Sequence, residues 1–546
     1  MSTFSLIRDP WLPCVLEDGS SVELSLAEVF DGSRSIARLR GDSPPQTYSL
    51  LRLLLVVFWR SHLHDEDLAN VRDPDRYSEW WEHHWHSIST DFRDEAVLDY
   101  LERYAVRFEL FGDTPFMQVA NLETSSGNHS DVRRLLPETE SDYFTMRAGT
   151  GQDALTFGEA ARWLVAMHAY DYSGIKSGAI GDPRVKGGKG YPIGTGWSGM
   201  TGGVILHGRS LSETLLLNTV PSEVVGEAAE SDRPVWERDP DSAAERASTA
   251  PTGPCDLLTW QSRRVRLFAS DDRVTKVLIS NGDRIPDAGA NVFGDPMTPY
   301  RYSANKSKKG RTIFYPRQHD AERTLWRSLG PLLALGGVVT ELKRGEEPPK
   351  PPRTVAHLAE LRESETLAED TVVDVELVGT VYGAQSSSVA NVVTAQLGLP
   401  LALLSTRDPR LARLAITAAS SAQDAAIALG QFAGQLQQAA GGDYEFSPSA
   451  TNNVLDALED EFTAWLRGLR REIADRHLVA WFADVRRRVI AEAELLTTGA
   501  GPRALVGRLT SNGDSEQYVS AGSAHQTLLR KLSTILPIDK ETPDGR

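Results

Sequence analysis

The sequence predicts an α+β protein, with a large mixed α/β domain over residues 1–400 and an antiparallel four-helix bundle over residues 401–546. Its 546 residues exceed what one hydrophobic core usually supports, so at least two domains are expected. Strand-like and helix-like patterns are mixed along the first part of the chain. Helical periodicity dominates after about residue 401, and its short breaks are typical of a bundle of antiparallel helices.

The first domain begins with a predicted hairpin, whose strands flank the turn Glu17-Asp18-Gly19. A buried helix is predicted at residues 50–59. Residues 170–203 are rich in glycine and too long for an ordinary connection, which indicates a functional segment. The acidic, proline-containing residues 223–254 are predicted to form a surface insertion or a disordered loop. Strands are predicted at residues 258–277.

Four amphipathic stretches supply the helices of the predicted bundle. The second stretch shows the pattern well, because its apolar residues recur every three or four positions and so share one helix face. These residues are Val454, Leu458, Phe462, Trp465 and Leu469. The four stretches are residues 411–436, 454–469, 478–496 and 524–536.

Composition narrows the class of protein without naming a function. A formal charge of −17 argues mildly against nucleic acid, since a simple DNA-binding protein usually carries a basic footprint. Residues 301–311 are a local exception, with five basic residues and no acidic one. Cys14 and Cys255 are too few for a disulfide framework or a four-cysteine zinc site. Without a signal-peptide pattern or an apolar run of about 18 residues, a cytoplasmic protein with no membrane partner is expected.

Enzyme signatures are largely missing. The sequence has no P-loop pattern, no GxSxG elbow and no GxGxxG after a clear strand. His83, His84 and His86, with His62 and His64 upstream, lack the HExxH spacing of a metalloprotease and are interpreted as residues of a partly exposed helix face. No catalytic residue, metal ligand or cofactor is therefore predicted. Two alternatives stay open, namely a hydrolase with a site near these histidines and the glycine stretch, and a purely structural scaffold.

Two segments stand out within the first domain. The β-rich run of residues 372–378 leads into the sequence Val-Tyr-Gly-Ala-Gln-Ser-Ser-Ser-Val at 381–389, which places a glutamine between small residues. The stretch Gly-Thr-Gly-Trp-Ser-Gly-Met-Thr-Gly-Gly occupies 194–203. With Leu-Ile-Arg-Asp-Pro-Trp-Leu-Pro at 6–13 and Thr-Pro-Phe-Met-Gln at 114–118, their order along the chain resembles the large subunit (CasA/Cse type) of the type I-E CRISPR Cascade surveillance complex.

The resemblance implies a non-catalytic subunit with an amino-terminal α/β domain of unusual fold and a carboxy-terminal bundle. It also implies recognition of a protospacer-adjacent motif in double-stranded DNA and the start of strand separation for R-loop formation. The implied partners are other Cascade subunits, the 5′ handle of the CRISPR RNA, the target duplex with its displaced strand, and a recruited helicase–nuclease.

In that family, a glutamine wedge follows a glycine-containing turn, and Gln385 after Gly383 and Ala384 matches it. A long amide side chain on a firm turn can intrude beneath a base pair, and unstacking one step costs about a few kcal/mol. Gly194, Thr195 and Gly196 match the family's glycine loop, where missing side chains let a backbone approach the minor groove. We expect a bulky residue at Gly196 to weaken DNA binding and to leave subunit assembly intact.

The other implied roles fall on basic and aromatic residues. For the family's lysine finger in the minor groove, Arg284 is the first candidate and Lys276 the second. Phe144, Gly149, Gly151 and Gln152 match a loop that docks on the RNA handle and a neighbouring subunit. Lys306, Lys308, Lys309 and Arg311 are candidates for phosphate contacts. Candidates for holding the displaced strand are Arg467, Arg470, Arg471, Arg486, Arg487 and Arg488, for which pairing with acidic neighbours on the helix faces is the alternative.

Overall fold

The computed structural model describes residues 3–65, 74–88, 93–137, 151, 153–224, 229–308, 310–319, 329–333, 346–512 and 515–538. Its strands are β1 Leu12–Leu16, β2 Ser21–Leu24, β3 Ile36–Leu39, β4 Ser130–Asp131, β5 Leu155–Thr156, β6 Lys176–Ser177, β7 Lys189–Gly190, β8 Gly203–His207, β9 Arg263–Ser270, β10 Arg273–Asn281, β11 Tyr300–Tyr302, β12 Phe314–Pro316, β13 Val372–Tyr382, β14 Val389–Pro400, β15 Arg508–Asn512 and β16 Ser515–Val519.

The helices are α1 Leu26–Phe30, α2 Pro44–Ser61, α3 Pro74–Ile88, α4 Glu95–Arg103, α5 Phe157–Tyr170, α6 Trp197–Met200, α7 Leu211–Leu217, α8 Pro221–Val224, α9 Pro254–Leu258, α10 Leu329–Leu332, α11 Arg353–Glu363, α12 Arg410–Ala439, α13 Pro448–Ala457, α14 Glu459–Arg467, α15 Ala474–Val506 and α16 Ala521–Ile535. Helices and strands are mixed as the sequence predicted, so the α+β class is confirmed. None of these described helices combines the length and the apolar character that a membrane span requires.

The chain forms two compact units. The first comprises Met1–Ala321, Glu341–Thr366 and Val373–Gln396, and the second comprises Glu322–Thr340, Leu367–Val372 and Leu397–Arg546. The chain thus passes from one unit to the other several times before it enters its long helices. The boundary at residue 400 stays a prediction.

Helix α2 is the buried helix of the first unit. Ser43 caps its amino terminus, and Pro45 stands in its first turn, where a missing N–H is harmless. Leucine and other apolar residues cover almost its whole circumference, so nearly every residue from Tyr48 to Trp59 is buried. A small antiparallel sheet, with strand order β2-β1-β3, begins the unit and confirms the predicted hairpin.

A second sheet includes or adjoins the two segments singled out in the sequence, residues 194–203 and 381–389. Its strand order is β14-β13-β8, and β8 begins at Gly203, which lies opposite Val378 of β13. The glycine stretch therefore leads directly into the strand that pairs with β13. Strand β13 continues to Tyr382, past the start of β8, and turns into β14.

The helices of the second unit confirm the predicted helical carboxy-terminal region. Trp481 donates to the carbonyl of Ala418, while Ala439 packs with Ala504 at the other end, so α12 and α15 run parallel. Helices α13 and α14 lead the chain back from the end of α12 to the start of α15, and α16 runs antiparallel to α12. A β15–β16 hairpin that the sequence did not predict joins α15 to α16.

The prediction for residues 223–254 is partly wrong. Trp236 is 1% exposed, its ring packs on Phe108 and Phe116, and its indole N–H donates to Tyr100 Oη at 2.6 Å. Glu237 accepts two hydrogen bonds from Arg60. This part of the acidic segment is packed into the core because a tryptophan and an ion pair anchor it, although its composition is polar.

Candidate nucleic-acid interface

Gln385 lies at the exposed tip of the turn between β13 and β14. The turn is closed by the Gly383 N–H, which donates to the Ser388 carbonyl at 3.0 Å, and by the Ser386 N–H, which donates to the Gly383 carbonyl at 2.9 Å. Gln385 and Ser386 both have left-handed backbone angles, with φ of 57° and 53°. Such angles cost about 1–3 kcal/mol each in residues other than glycine, and they are often found at functional sites.

Tyr382 anchors the base of this hairpin to the glycine stretch. Its hydroxyl donates to the Tyr170 carbonyl at 2.6 Å, at the end of α5. It also lies so close to Gly199 that a Cβ on that glycine would be 2.1 Å from the Tyr382 oxygen. The structure therefore brings the β13–β14 hairpin and the glycine stretch into direct contact, through two residues that are 183 positions apart in the sequence.

The three residues of the predicted glycine loop have different surroundings. Gly194 has a left-handed φ of 107°, and a Cβ there would meet no heavy atom within 4 Å. Thr195 is half-buried. Gly196 is buried, and a Cβ on it would lie 2.3 Å from the Ala169 carbonyl oxygen. Gly196 therefore packs closely against the end of α5, and a bulky residue there would disturb this packing. Its effect on DNA binding and on subunit assembly stays a prediction.

A buried group of charges holds the glycine loop from below. Arg263 is 1% exposed; its guanidinium donates to Asp171 Oδ2 at 2.5 Å and to the Gly194 carbonyl at 2.8 Å. Lys176 and Arg134 lie 2.9 and 3.2 Å from the same carboxylate. Burial alone would raise the pKa of Asp171, but the three cations outweigh it and hold that pKa well below its usual range. The cluster carries more positive than negative charge directly beneath the loop.

A cavity of about 420 Å³ lies beside these residues, between α5 and the β13–β14 hairpin. Its lining is mainly apolar and includes Tyr172, Thr380 and Asn391. Within the described part of the chain, the Trp163 indole nitrogen and the Tyr170 hydroxyl that border it are buried without a hydrogen-bond partner.

The two candidates for the minor-groove finger differ in their pairing. Lys276, on β10, lies 2.5 Å from Asp131 of β4 in an exposed ion pair. The Arg284 side chain is exposed, and its backbone N–H donates to Glu245 at 2.9 Å. Arg284 therefore has the side chain that is better placed to reach a ligand.

The sequence analysis missed a basic turn near Arg284. Lys186 and Lys189 pair with each other across Gly187 and Gly188, whose φ values of 57° and 73° suit a tight hairpin turn. Both lysine side chains are exposed. The adjoining Tyr191 carbonyl accepts a hydrogen bond from Asn281, three residues before Arg284. Two adjacent glycines between the lysines are a sequence signal for a two-residue hairpin turn, which the sequence analysis did not use.

The remaining phosphate candidates lie on the connection between β11 and β12. Lys306, Lys308 and Arg311 are exposed there, and Lys309 lies outside the described residues. Of the predicted RNA-handle loop, Phe144, Gly149 and Gln152 also lie outside the described residues, whereas Gly151 is exposed.

Several of the arginines predicted to hold the displaced strand form ion pairs within the second unit. Arg471 lies 3.2 Å from both Glu369 and Asp408, Arg487 pairs with Asp484 at 2.6 Å, and Arg488 pairs with Glu461 at 2.6 Å. This pairing is the alternative that the helix-face pattern had left open. Arg470 donates to backbone carbonyls, Arg467 packs against Gly398, and Arg486 is half-buried.

The chain belongs to the CRISPR-associated protein Cse1 family, whose model matches residues 5–491. A CasA/Cse1 protein from Thermus thermophilus is 30% identical over 349 residues, which are 62% of this chain and 61% of that relative's length. The resemblance inferred from the sequence motifs is therefore confirmed at the level of the family.

Solved structures give the same result for the fold. The crystal structure of Thermobifida fusca Cse1 matches with a TM-score of 0.85 and 36% identity, over 98% of this chain and 99% of that one. Cse1 from Acidimicrobium ferrooxidans matches with a TM-score of 0.76 and 28% identity, over 98% and 100% of the two chains. A chain of a CRISPR RNA-guided surveillance complex shares the fold at 20% identity, with a TM-score of 0.65 over 98% and 100% of the chains.

Proposed function

We propose that this protein is the non-catalytic large subunit of a type I-E Cascade surveillance complex, where it recognises a protospacer-adjacent motif and starts strand separation. Membership of the Cse1 family and the fold shared with a chain of a surveillance complex support this role. The most direct support is Gln385, an exposed side chain on a turn that is anchored to the glycine stretch.

The hairpin has the properties that a wedge requires. A side chain that separates stacked bases must resist being pushed back, and Gln385 stands on a turn closed by backbone hydrogen bonds. Tyr382 fixes the base of the hairpin to α5 through a partly buried hydrogen bond. The cost of unstacking, about a few kcal/mol per step, would be offset by backbone contacts and by pairing between the guide RNA and the target strand.

The glycine loop has the properties of a backbone probe for the minor groove. The Cβ position of Gly194 is open, and Arg263 fixes the Gly194 carbonyl from the buried side. Arg284, Lys186 and Lys189 would then contact phosphates or the groove beside it, with Lys306, Lys308 and Arg311 along the entering duplex. Contact with the RNA handle, the displaced strand and a helicase–nuclease belongs to the same proposal.

A set of substitutions at Gln385 tests the wedge. Gln385→Gly removes the side chain and also relieves the left-handed backbone, and Gln385→Asn shortens it but keeps the amide. Ser387→Ala, in the same turn, is the matched control. In complexes reconstituted with CRISPR RNA, we expect the Gly and Asn variants to bind motif-containing duplex but to open it slowly, as followed by 2-aminopurine fluorescence beside the motif.

A target with mismatches at the first positions after the motif separates strand opening from binding. Because these bases are already unpaired, this target should restore normal R-loop formation to Gln385→Gly. If the variant were as slow on the mismatched target as on the paired one, Gln385 would not act as a wedge. Unchanged opening of the paired target would also refute the proposal.

A further inference from the structure

Three side chains with metal-binding groups converge in the first unit, away from the glycine loop in the sequence. A ring nitrogen of His62, a ring nitrogen of His84 and a carboxylate oxygen of Asp65 all lie within 4.8 Å of one another. His62 ends helix α2, Asp65 follows it in the next turn, and His84 lies on helix α3. The chain therefore brings together donors from elements that are distant in sequence.

The second nitrogen of each imidazole is already bound by a hydrogen-bond acceptor. His62 Nε2 lies 3.0 Å from Asp94 Oδ2, and His84 Nδ1 lies 2.9 Å from the Trp80 carbonyl oxygen. In metal sites, such partners fix the tautomer and turn the remaining nitrogen lone pair toward the ion. For His84 this leaves Nε2 as the ligand nitrogen. For His62 it leaves Nδ1, which lies 2.7 Å from Asp65 Oδ2 and would exchange that hydrogen bond for the ion. The Trp80 indole N–H, which donates to Asp65 Oδ2 at 2.9 Å, orients the third ligand.

We propose that His62, Asp65 and His84 bind one zinc ion. Two imidazoles and one carboxylate are a donor set that zinc accepts, with water in the fourth position of the tetrahedron. The same donors would take other divalent ions of the first transition row, so zinc is the ion chosen as probe.

The surroundings suit a partly enclosed site that an ion can still reach. The Phe58 ring packs on His62 at 4.7 Å between centroids, and the Trp80 ring lies 4.1 Å from that of His84. The Asp65 side chain is 28% exposed, whereas that of His62 is 9% exposed. An ion would therefore enter at the partly exposed Asp65 carboxylate, while the aromatic rings pack against the two imidazoles.

The ion would join the end of α2 to α3. Trp81 of α3 is fully buried and donates to the Leu216 carbonyl at 3.1 Å, so this helix already packs on the core through its neighbouring residues. A metal bound by His84 would add a second attachment, directly to α2. We therefore assign the ion a structural role, with stability rather than DNA binding as its readout.

His62 lies between the carboxylates of Asp65 and Asp94. Burial alone would lower its pKa, but the hydrogen bonds to Asp65 and Asp94 outweigh burial and raise the pKa to about 9. Between two carboxylates, the imidazolium forms a stable ion pair in the absence of an ion.

Zinc binding to the full-length, tag-free protein tests the proposal after treatment with a chelator. Titration against a chromophoric chelator should show one high-affinity zinc ion per chain. His84→Ala and Asp65→Asn should each weaken binding by about 100-fold or more, and Asp94→Asn, which keeps the helix cap of α4, by about 10–100-fold. Zinc should raise the Tm of the wild type and leave the Tm of His84→Ala unchanged.

His83→Ala and His86→Ala are matched controls, because both residues are exposed on the same helix. They should bind zinc as the wild type does. If the wild type took up no zinc at micromolar concentrations, the cluster would be an ion pair alone and the proposal would fail. It would also fail if zinc were lost from either control and retained by His84→Ala and Asp65→Asn.

Discussion

Replacing Gly196 by alanine should destabilise the first unit, whereas the same change at Gly194 should act mainly on the loop. The new Cβ at Gly196 would lie 2.3 Å from the Ala169 carbonyl oxygen, inside the limit of 3.0 Å that real Cβ atoms respect. The loop would therefore have to move by about 0.7 Å, the difference between these two distances. Since the obstacle is helix backbone, no side-chain rotation relieves the overlap.

That movement also affects the hydrogen bond from the Gly196 N–H to the Asp171 carbonyl, now 3.1 Å long. Overpacking costs about 1–3 kcal/mol and a lost hydrogen bond about 1 kcal/mol, so the expected loss of unfolding free energy is about 2–4 kcal/mol. For Gly194→Ala the neighbourhood is open, and only the left-handed φ opposes the change, at about 1–2 kcal/mol.

Thermal unfolding of the free protein, followed by circular dichroism, gives the stability of both variants. Duplex binding by the reconstituted complex gives the effect of each substitution on the function of the loop. Gly196→Ala should unfold at least several degrees below the wild type. Gly194→Ala should unfold closer to the wild type but bind motif-containing duplex more weakly. Unchanged unfolding of Gly196→Ala, or a larger Tm loss in Gly194→Ala, would refute this assignment of one structural and one functional glycine.

Three further predictions concern buried polar groups. Arg52→Met leaves Asp295 charged and unpaired where the two now lie 2.5 Å apart, and it should cost about 3–5 kcal/mol in urea unfolding; a loss below 1 kcal/mol would contradict this. Tyr382→Phe removes the hydrogen bond to the last carbonyl of α5 and should cost about 0.5–1.5 kcal/mol while slowing duplex opening, and normal opening would argue against anchoring. For Lys176, the effect of burial outweighs the attraction of the Asp171 carboxylate and lowers the pKa to about 7. Between about pH 7 and 10 the unfolded chain therefore binds a proton that the folded chain lacks. The wild type should accordingly gain stability relative to Lys176→Met as the pH rises. A difference independent of pH would exclude this titration.

Local patterns in the sequence predicted the long helices and the first hairpin well. Helix α2 and the four stretches of the second unit were visible because apolar periodicity is a property of a few successive turns. The break at Leu458, which divides the predicted second helix into α13 and α14, was not visible, since its apolar spacing continues across the break. The burial of Trp236 was missed because a single aromatic anchor does not change the average polarity of its segment.

The site was predicted only in part, because its geometry depends on contacts between distant segments. Gln385 and the glycine stretch were found through a family resemblance, whereas the contact between the β13–β14 hairpin and the glycine stretch depends on the pairing of β8 with β13. The buried support of the loop could not be read from the chain, since Arg263 and Asp171 are 92 positions apart. The histidines were interpreted as residues of a partly exposed helix face because they lack the HExxH spacing of a metalloprotease, and nothing in the sequence singled out Asp65 as their neighbour.

The interleaving of the two units limits how this protein can be dissected by truncation. Cutting after residue 400 would remove the long helices but leave behind Leu367–Val372 and Glu322–Thr340, which belong to the second unit. Strand β13 begins at Val372, the last residue of one of these segments, so the β13–β14 hairpin is attached directly to a piece of chain whose packing partners would be gone. The behaviour of such a fragment would reflect the apolar surface that the cut exposes. Roles of the hairpin are therefore assigned by point substitutions in the whole chain.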